Sequence, residues 1–255
     1  MPLTLTPVPG LPLIQPGDDL ASLILDALAA AGIALQDSDV IVVAQKIVSK
    51  AEGCLVRLSE VIPSERAQEL ALKTGKDPRL VEVILRESRE VLRTRPGAII
   101  VEHRLGFVCA SAGVDHSNMG VDTDHSEEFV LTLPEDPDIS AHCLRNRFEA
   151  AYQAQVGVMI IDSHGRAWRH GTVGVAIGLA GVPGVVDMRG WPDLYDFRLQ
   201  ITQVGVADEL AAAASLVMGQ SAEGLPVVHV RGFPYPLRDS SLSELLRPKN
   251  EDLFR

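Results

Sequence analysis

Two uninterrupted apolar runs constrain this chain more than any other feature. Val40-Ile41-Val42-Val43-Ala44 and the run from Val156 to Ile161 are rich in β-branched residues and lack polar alternation, so each reads as a buried strand. Helix signals surround them. Gly17-Asp18-Asp19 followed by Leu20, Leu23, Ile24 and Leu28 predicts a capped amphipathic helix stopped by Gly32. Pro63-Ser64-Glu65 opens a helix to about Lys73, and Asp77-Pro78 opens another predicted through Val91. Glu135-Asp136-Pro137 starts a helix carrying Arg145 and Arg147, and Ala207 to Val217 is an Ala-rich helix ending at Met218-Gly219. Ala98 to Glu102 and Gly106 to Ala112 read as a hairpin, Asp196 to Val204 and Leu225 to Val230 as further strands. Glycines at 171, 174, 178, 181 and 184 leave their segment open between strand, tight turn and close-packed helix. The tail from Pro234 reads as loop with one short amphipathic helix. Strands and helices mix without strict βαβ alternation, so the predicted class is α+β with mixed sheets.

With 255 residues, 46% of them hydrophobic, the chain can bury a sizeable core. Its net charge of −11 disfavours a general nucleic-acid binder or an anionic-membrane binder. Cys54, Cys109 and Cys143 are scattered and form no CxxC, which predicts buried reduced thiols in a cytoplasmic protein. Met1 to Gly10 lacks the charge and apolar run of a signal peptide. The most apolar stretch, Gly171 to Val186, is broken by five glycines and a proline and cannot span a membrane. A phosphate loop, a GxGxxG fingerprint, a GxSxG elbow and an HExxH pair are all absent. His116, His164 and His170 stand beside polar loops and are assigned no role.

Four polar segments remain where predicted strands or helices end. Gln45-Lys46-x-x-Ser49-Lys50 follows the first buried strand as a loop and holds two of only five lysines. Ammonium groups suit phosphate, although a solvated strand-to-loop junction explains the pair as well. Gly113 allows a sharp exit before Asp115 and Asn118, whose oxygens suit one cation or nucleotide, or merely an Asx turn. Asp162-Ser163 is delivered at the carboxyl end of the second buried strand, a common place for active-site carboxylates. A carboxylate beside a hydroxyl suits Mg²⁺ or Mn²⁺, and Arg166 and Arg169 flank Trp168 as candidate anion clamps. Met218-Gly219-Gln220-Ser221-Ala222-Glu223-Gly224 is a small-residue loop after a helix, suited to a close ligand or to an ordinary helix end. Together the four suggest a cation-assisted site for anions.

Read in order, Val43 to Gly53, Ala112-Gly113-Val114-Asp115-x-Ser117-Asn118, Asp162-Ser163-x-Gly165-Arg166-x-Trp168-Arg169-x-Gly171 and Val175-Ala176-Ile177-Gly178-x-Ala180-Gly181 resemble the coenzyme F420-0:gamma-glutamyl ligase family. Gly10 to Ile14, Gly17-Asp18-Asp19, Ala207-Asp208-Glu209 and Met218-Gly219 add to the likeness, which runs from about residue 5 to 233. The resemblance implies a GTP-dependent ligase. The γ-phosphate passes to the lactyl carboxylate of a deazaflavin coenzyme precursor, and the amine of L-glutamate attacks the resulting acyl phosphate. Further glutamates follow through γ-linkages. Two divalent ions, Mg²⁺ or Mn²⁺, bridge the phosphates, and K⁺ is associated with the family.

By the same resemblance, Leu11, Pro12, Leu13, Ile14, Gln45, Lys46, Lys50 and Asn118 contact GTP, as does the loop Met218, Gly219, Gln220, Ser221, Ala222, Glu223, Gly224 and Leu225. Asp115 and Asp162 hold one divalent ion, and Ser163 and Gln220 the second. Gln220 stands where a carboxylate is more usual, and Ser163 where Thr is common. Arg166 and Arg169 match the motif and are assigned to substrate anions. The implied fold is particular to the family, an intertwined homodimer with the site near the subunit interface. Residues 1–255 then form one ligase unit without the nitroreductase-like domain of some relatives. Two alternatives stand beside this reading: a ligase of the same fold acting on another small carboxylate, and a non-catalytic nucleotide-binding protein.

Overall fold

The computed structural model describes residues 2–116 and 129–252. Its centre is a five-stranded sheet in the order β1-β12-β2-β8-β9, formed by Thr4–Pro7 (β1), Val40–Ala44 (β2), Gly157–Gly165 (β8), Thr172–Ala180 (β9) and Val227–Arg231 (β12). β2 and β8 run parallel, and the other pairs are antiparallel. The two apolar runs are the two central parallel strands, and each is buried on both faces. Ile41, Val43, Val158 and Ile160 point to a core with Ile24 and Leu28 of helix α1 (Leu20–Ala30) and Phe148 of α5 (Pro137–Tyr152). Val42, Met159 and Ile161 point to the opposite core, against Leu210 and Ala214 of α6 (Val206–Met218). Alternation between two cores removes the need for any polar position along the strand.

The glycine-punctuated segment resolves as strand β9. Ile160 pairs with Gly178 and Ile161 with Ala176, so Ile177 is inserted as a bulge. β9 is also a sheet edge, and two helix-start carboxylates cover it. Asp208 accepts the Ala176 N–H at 2.9 Å, and Asp138 accepts that of Leu179 at 2.7 Å. Burial pushes both carboxyls above their ordinary pKa.

A second layer packs helices α3 (Glu65–Thr74) and α4 (Pro78–Arg86) on a sheet of β4 (Ser88–Arg95), β5 (Ala98–His103) and β6 (Val108–Ala110). Leu70, Val81, Ile84, Ile99 and Val101 form its core. A two-stranded ribbon joins β3 (Leu55–Arg57) to β7 (Phe129–Leu131), and another joins β10 (Val186–Asp187) to β11 (Gln203–Val204). The architecture is therefore mixed α and β with several sheets.

Several local expectations change. Gln45 to Ala51 is a helix, α2, and not a loop. The helix predicted through Val91 ends at Arg86, because Ser88–Arg95 finds a partner in β5 across the turn at Gly97. The strand predicted from Asp196 forms a ladder only at Gln203–Val204; before that, Arg198 makes an isolated bridge to Pro192, and Leu199 exchanges backbone bonds with Gly190 and Trp191. The tail carries 3₁₀ turns at Leu242–Glu244 and Lys249–Glu251 in place of an amphipathic helix. Of the cysteines only Cys109 is buried, whereas Cys54 is half-buried and Cys143 exposed; all three are free. No described helix is long and apolar enough to cross a membrane.

Candidate functional site

β2 stops at Ala44, where the chain turns directly into α2, whereas β8 continues with β9 for four more residues as a two-stranded arm. The notch beyond the end of β2 becomes a cavity of about 670 Å³. Leu11 to Ile14 line it from the N-terminal segment, and Gln45, Lys46, Ile47 and Lys50 from α2. Asp162 and Ser163 lie inside β8 and not at its end, and Met218 to Pro226 close the cavity after α6.

α2 sets the cationic side. Gln45 is buried and its amide oxygen accepts from Ser49 Oγ at 2.9 Å. Lys50 is only 9% exposed, and burial, followed by the nearby charge of Lys46, holds its ammonium below the ordinary lysine pKa. Lys46 Nζ lies 2.7 Å from Asp115 Oδ2. Asp115 is reached through Ser111, Ala112 and Gly113, all with left-handed φ between 51° and 66°. Two of these carry side chains, so the turn is strained by roughly 1–2 kcal/mol per residue. Reciprocal backbone bonds between Asp115 and Leu131, 3.0 and 2.9 Å, pin the residue after the turn.

β8 divides its donors by strand alternation. Ser163 Oγ donates to Gln220 Oε1 at 2.9 Å, and Gln220 Nε2 donates to Ser215 Oγ at 2.9 Å. The amide of Gln220 is thus oriented from both ends. On the other side, Asp162 Oδ2 lies 3.0 Å from His164 Nε2. Asp162 also faces β6. Burial, with Asp162 nearby, pushes the Cys109 thiol up to about 12, and burial takes Cys54 to about 11. Neither thiol is a nucleophile at neutral pH.

The cavity therefore gathers Asp115, Asp162, Ser163 and Gln220 with Lys46 and Lys50. All of their candidate ligand atoms are hard oxygens, which suits a divalent cation. Among the described residues no three His, Cys, Asp or Glu side chains converge, so a cation here would draw on hydroxyl and amide oxygens as well. Arg166 and Arg169 do not line the cavity; they sit in the exposed turn between β8 and β9, where Arg166 donates to the Gly171 carbonyl at 3.2 Å. Asn118 lies outside the described residues. Sequence reasoning passed over Ser215, a lone hydroxyl in an Ala-rich helix, and His164, one residue beyond a motif it singled out. A second cavity of about 710 Å³ lies on the other side of α2 and holds none of the predicted site residues.

Residues 10–232 match the family described as F420-0:Gamma-glutamyl ligase. The chain belongs to that family. Proteins named coenzyme F420:L-glutamate ligase are similar to it over nearly their whole lengths. The one from Methanothermobacter thermautotrophicus is 48% identical, covering 100% of both chains. That of Methanopyrus kandleri is 47% identical over 99% of this chain and 98% of its own, and that of Archaeoglobus fulgidus 44% over 98% and 95%. The gamma-glutamyl ligase match spans every element that lines the cavity.

Proposed function

We propose that this protein is a GTP- and divalent-metal-dependent ligase that joins L-glutamate through an amide bond to the coenzyme F420-0 precursor. Membership of the gamma-glutamyl ligase family and the names of its relatives support the glutamate and the coenzyme. The observation that carries the chemistry is the meeting of Lys46 and Lys50 with four oxygen donors in one cavity. In a chain of net charge −11, those two ammonium groups supply local attraction for nucleotide phosphates.

The precursor carboxylate is a poor acylating group until it is activated. One of its oxygens attacks the γ-phosphorus of GTP, breaking the bond to the β–γ bridging oxygen and releasing GDP. The glutamate amine then attacks the acyl carbon, phosphate leaves, and the amine loses a proton. Asp115 and Asp162 would hold one divalent ion, Ser163 and Gln220 a second. Bound there, such ions supply charge neutralisation on the phosphate oxygens. Lys46 and Lys50 hold the phosphates, the segments 11–14 and 218–225 enclose the nucleotide, and Arg166 and Arg169 receive substrate anions. K⁺ is assigned no ligands.

We further propose a cytoplasmic homodimer in which residues 1–255 form one ligase unit. Residues 188–202 support a dimer, because they present Trp191, Leu194, Tyr195, Phe197 and Ile201 to solvent, Leu194 at 97% exposure and Tyr195 at 89%. An apolar arm of that kind marks an interaction surface.

Incubation with GTP, Mn²⁺, L-glutamate and the precursor, followed by mass spectrometry, tests the activity. The expected result is addition of one glutamyl unit with GDP formed in step, abolished in Asp162→Ala. GTP binding with no glutamylated product would refute the ligase and leave a nucleotide-binding protein.

A further inference from the structure

The side of β8 that carries Asp162 holds a second polar group that the reaction scheme leaves unused. His164 lies two residues further along the strand, on the same side, with its side chain only 10% exposed. Its Nε2 is 3.0 Å from Asp162 Oδ2. A carboxylate can only accept, so the ring nitrogen is the donor. The ring is fixed from behind. It packs on Phe107 at 5.0 Å between centroids, and Phe107 lies parallel on His103 at 4.9 Å and 4°. His103 is fully buried and anchored in its own layer. Its Nδ1 accepts the Leu105 N–H at 3.0 Å, and its Nε2 faces the Glu87 carboxylate at 3.7 Å. A rigid stack therefore runs from the α3–α4 layer to one oxygen of Asp162.

We propose that His164 is a positioning residue for Asp162: held against Phe107, it ties Oδ2 and orients the carboxylate so that Oδ1 is left for a divalent cation. The inference rests on the proposed cation role of Asp162. A free aspartate rotates about two side-chain bonds, and a donor fixed by packing removes that freedom before the ion arrives. Carboxylate ligands are commonly held by such outer partners, whose loss weakens metal binding about 10–100-fold. Strand alternation explains the division of labour. Asp162 and His164 share one side, while Ser163 between them engages Gln220 on the other.

The test is Mn²⁺ binding to the full chain without nucleotide, followed by the paramagnetic resonance signal of the free ion, with a thermal melt of each variant. His164→Ala and His164→Asn, whose amide is too short to reach, should bind Mn²⁺ about 10–100-fold more weakly. His164→Gln, which places a nitrogen donor near the position of Nε2, should recover most of that loss. In turnover, His164→Ala should raise the half-saturating Mn²⁺ concentration and leave kcat at saturating Mn²⁺ little changed. A folded His164→Ala protein with wild-type Mn²⁺ affinity, or a Gln variant no better than Ala, would overturn the positioning role. Asp162→Asn with wild-type Mn²⁺ affinity would instead overturn the cation reading of Asp162 itself.

Discussion

At Gly174 a single added methyl group would press on the scaffold of the site. It lies on β9 under α6, and a Cβ added there would sit 2.5 Å from the Ala211 carbonyl oxygen and 2.5 Å from Ser215 Cβ. Ordinary contact begins at 3.4 Å, so α6 must retreat by about 0.9 Å in Gly174→Ala, and the obstructing atoms belong to the helix itself. Overpacking of this kind costs about 1–3 kcal/mol. The φ of Gly174 is not left-handed, so the loss of unfolded-chain freedom returns about 0.4–1 kcal/mol. The net is a destabilisation of about 1–2 kcal/mol, which for a chain of this size lowers Tm by roughly 2–8 °C. The consequence for function is larger than the consequence for stability. Ser215, Met218 and the loop that follows line the cavity, and a displacement near 1 Å can cost about a hundredfold in rate. Thermal melts and glutamylation rates of Gly174→Ala and Gly165→Ala together test this. A Cβ at Gly165 meets nothing within 4 Å, so that variant should melt with the wild type. Wild-type Tm and turnover in Gly174→Ala would refute the view that this close approach sets the position of the loop.

Three further outcomes follow from named contacts. Lys46→Met frees Asp115 from an ammonium at 2.7 Å, so Mn²⁺ alone should bind about three- to tenfold more tightly while GTP binds more weakly; calorimetric titrations moving both affinities in the same direction would contradict this. Burial opposes ionisation of Asp39, yet hydrogen bonds from Arg231, His229 and the Gln36 N–H hold its carboxyl at about 2. A lowered carboxyl pKa stabilises above the unfolded value of 3.8 and is lost as pH falls through 2, so about 2 kcal/mol should disappear across that window. Asp138 and Asp208, raised by burial, have the opposite sign, so the difference between wild type and Asp39→Asn in urea midpoint against pH isolates Asp39. Finally, Leu194→Asp with Tyr195→Ser should convert a dimer to monomer in sedimentation; a wild-type monomer would dispose of the proposed assembly.

What the sequence determined by itself is what depends on near neighbours along the chain. Apolar continuity marked Val40–Ala44 and the core of β8, and capping residues placed the starts of α1, α3, α4 and α5, because a cap is satisfied within three or four residues of itself. Most of the candidate ligands were legible as polar breaks in apolar runs, in an order that matches one family. Tertiary structure decided the rest. α2 has seven residues, too few to hold as an isolated helix; it forms because Ile47 and Val48 are buried in the main core. Ser88–Arg95 became a strand because β5 lay across the turn. The partnership of Ser215 with Gln220, and of His164 with Asp162 against Phe107, joins side chains brought close by sheet register and by the meeting of two layers. Those pairings depend on distances through space, which no local pattern of residues records.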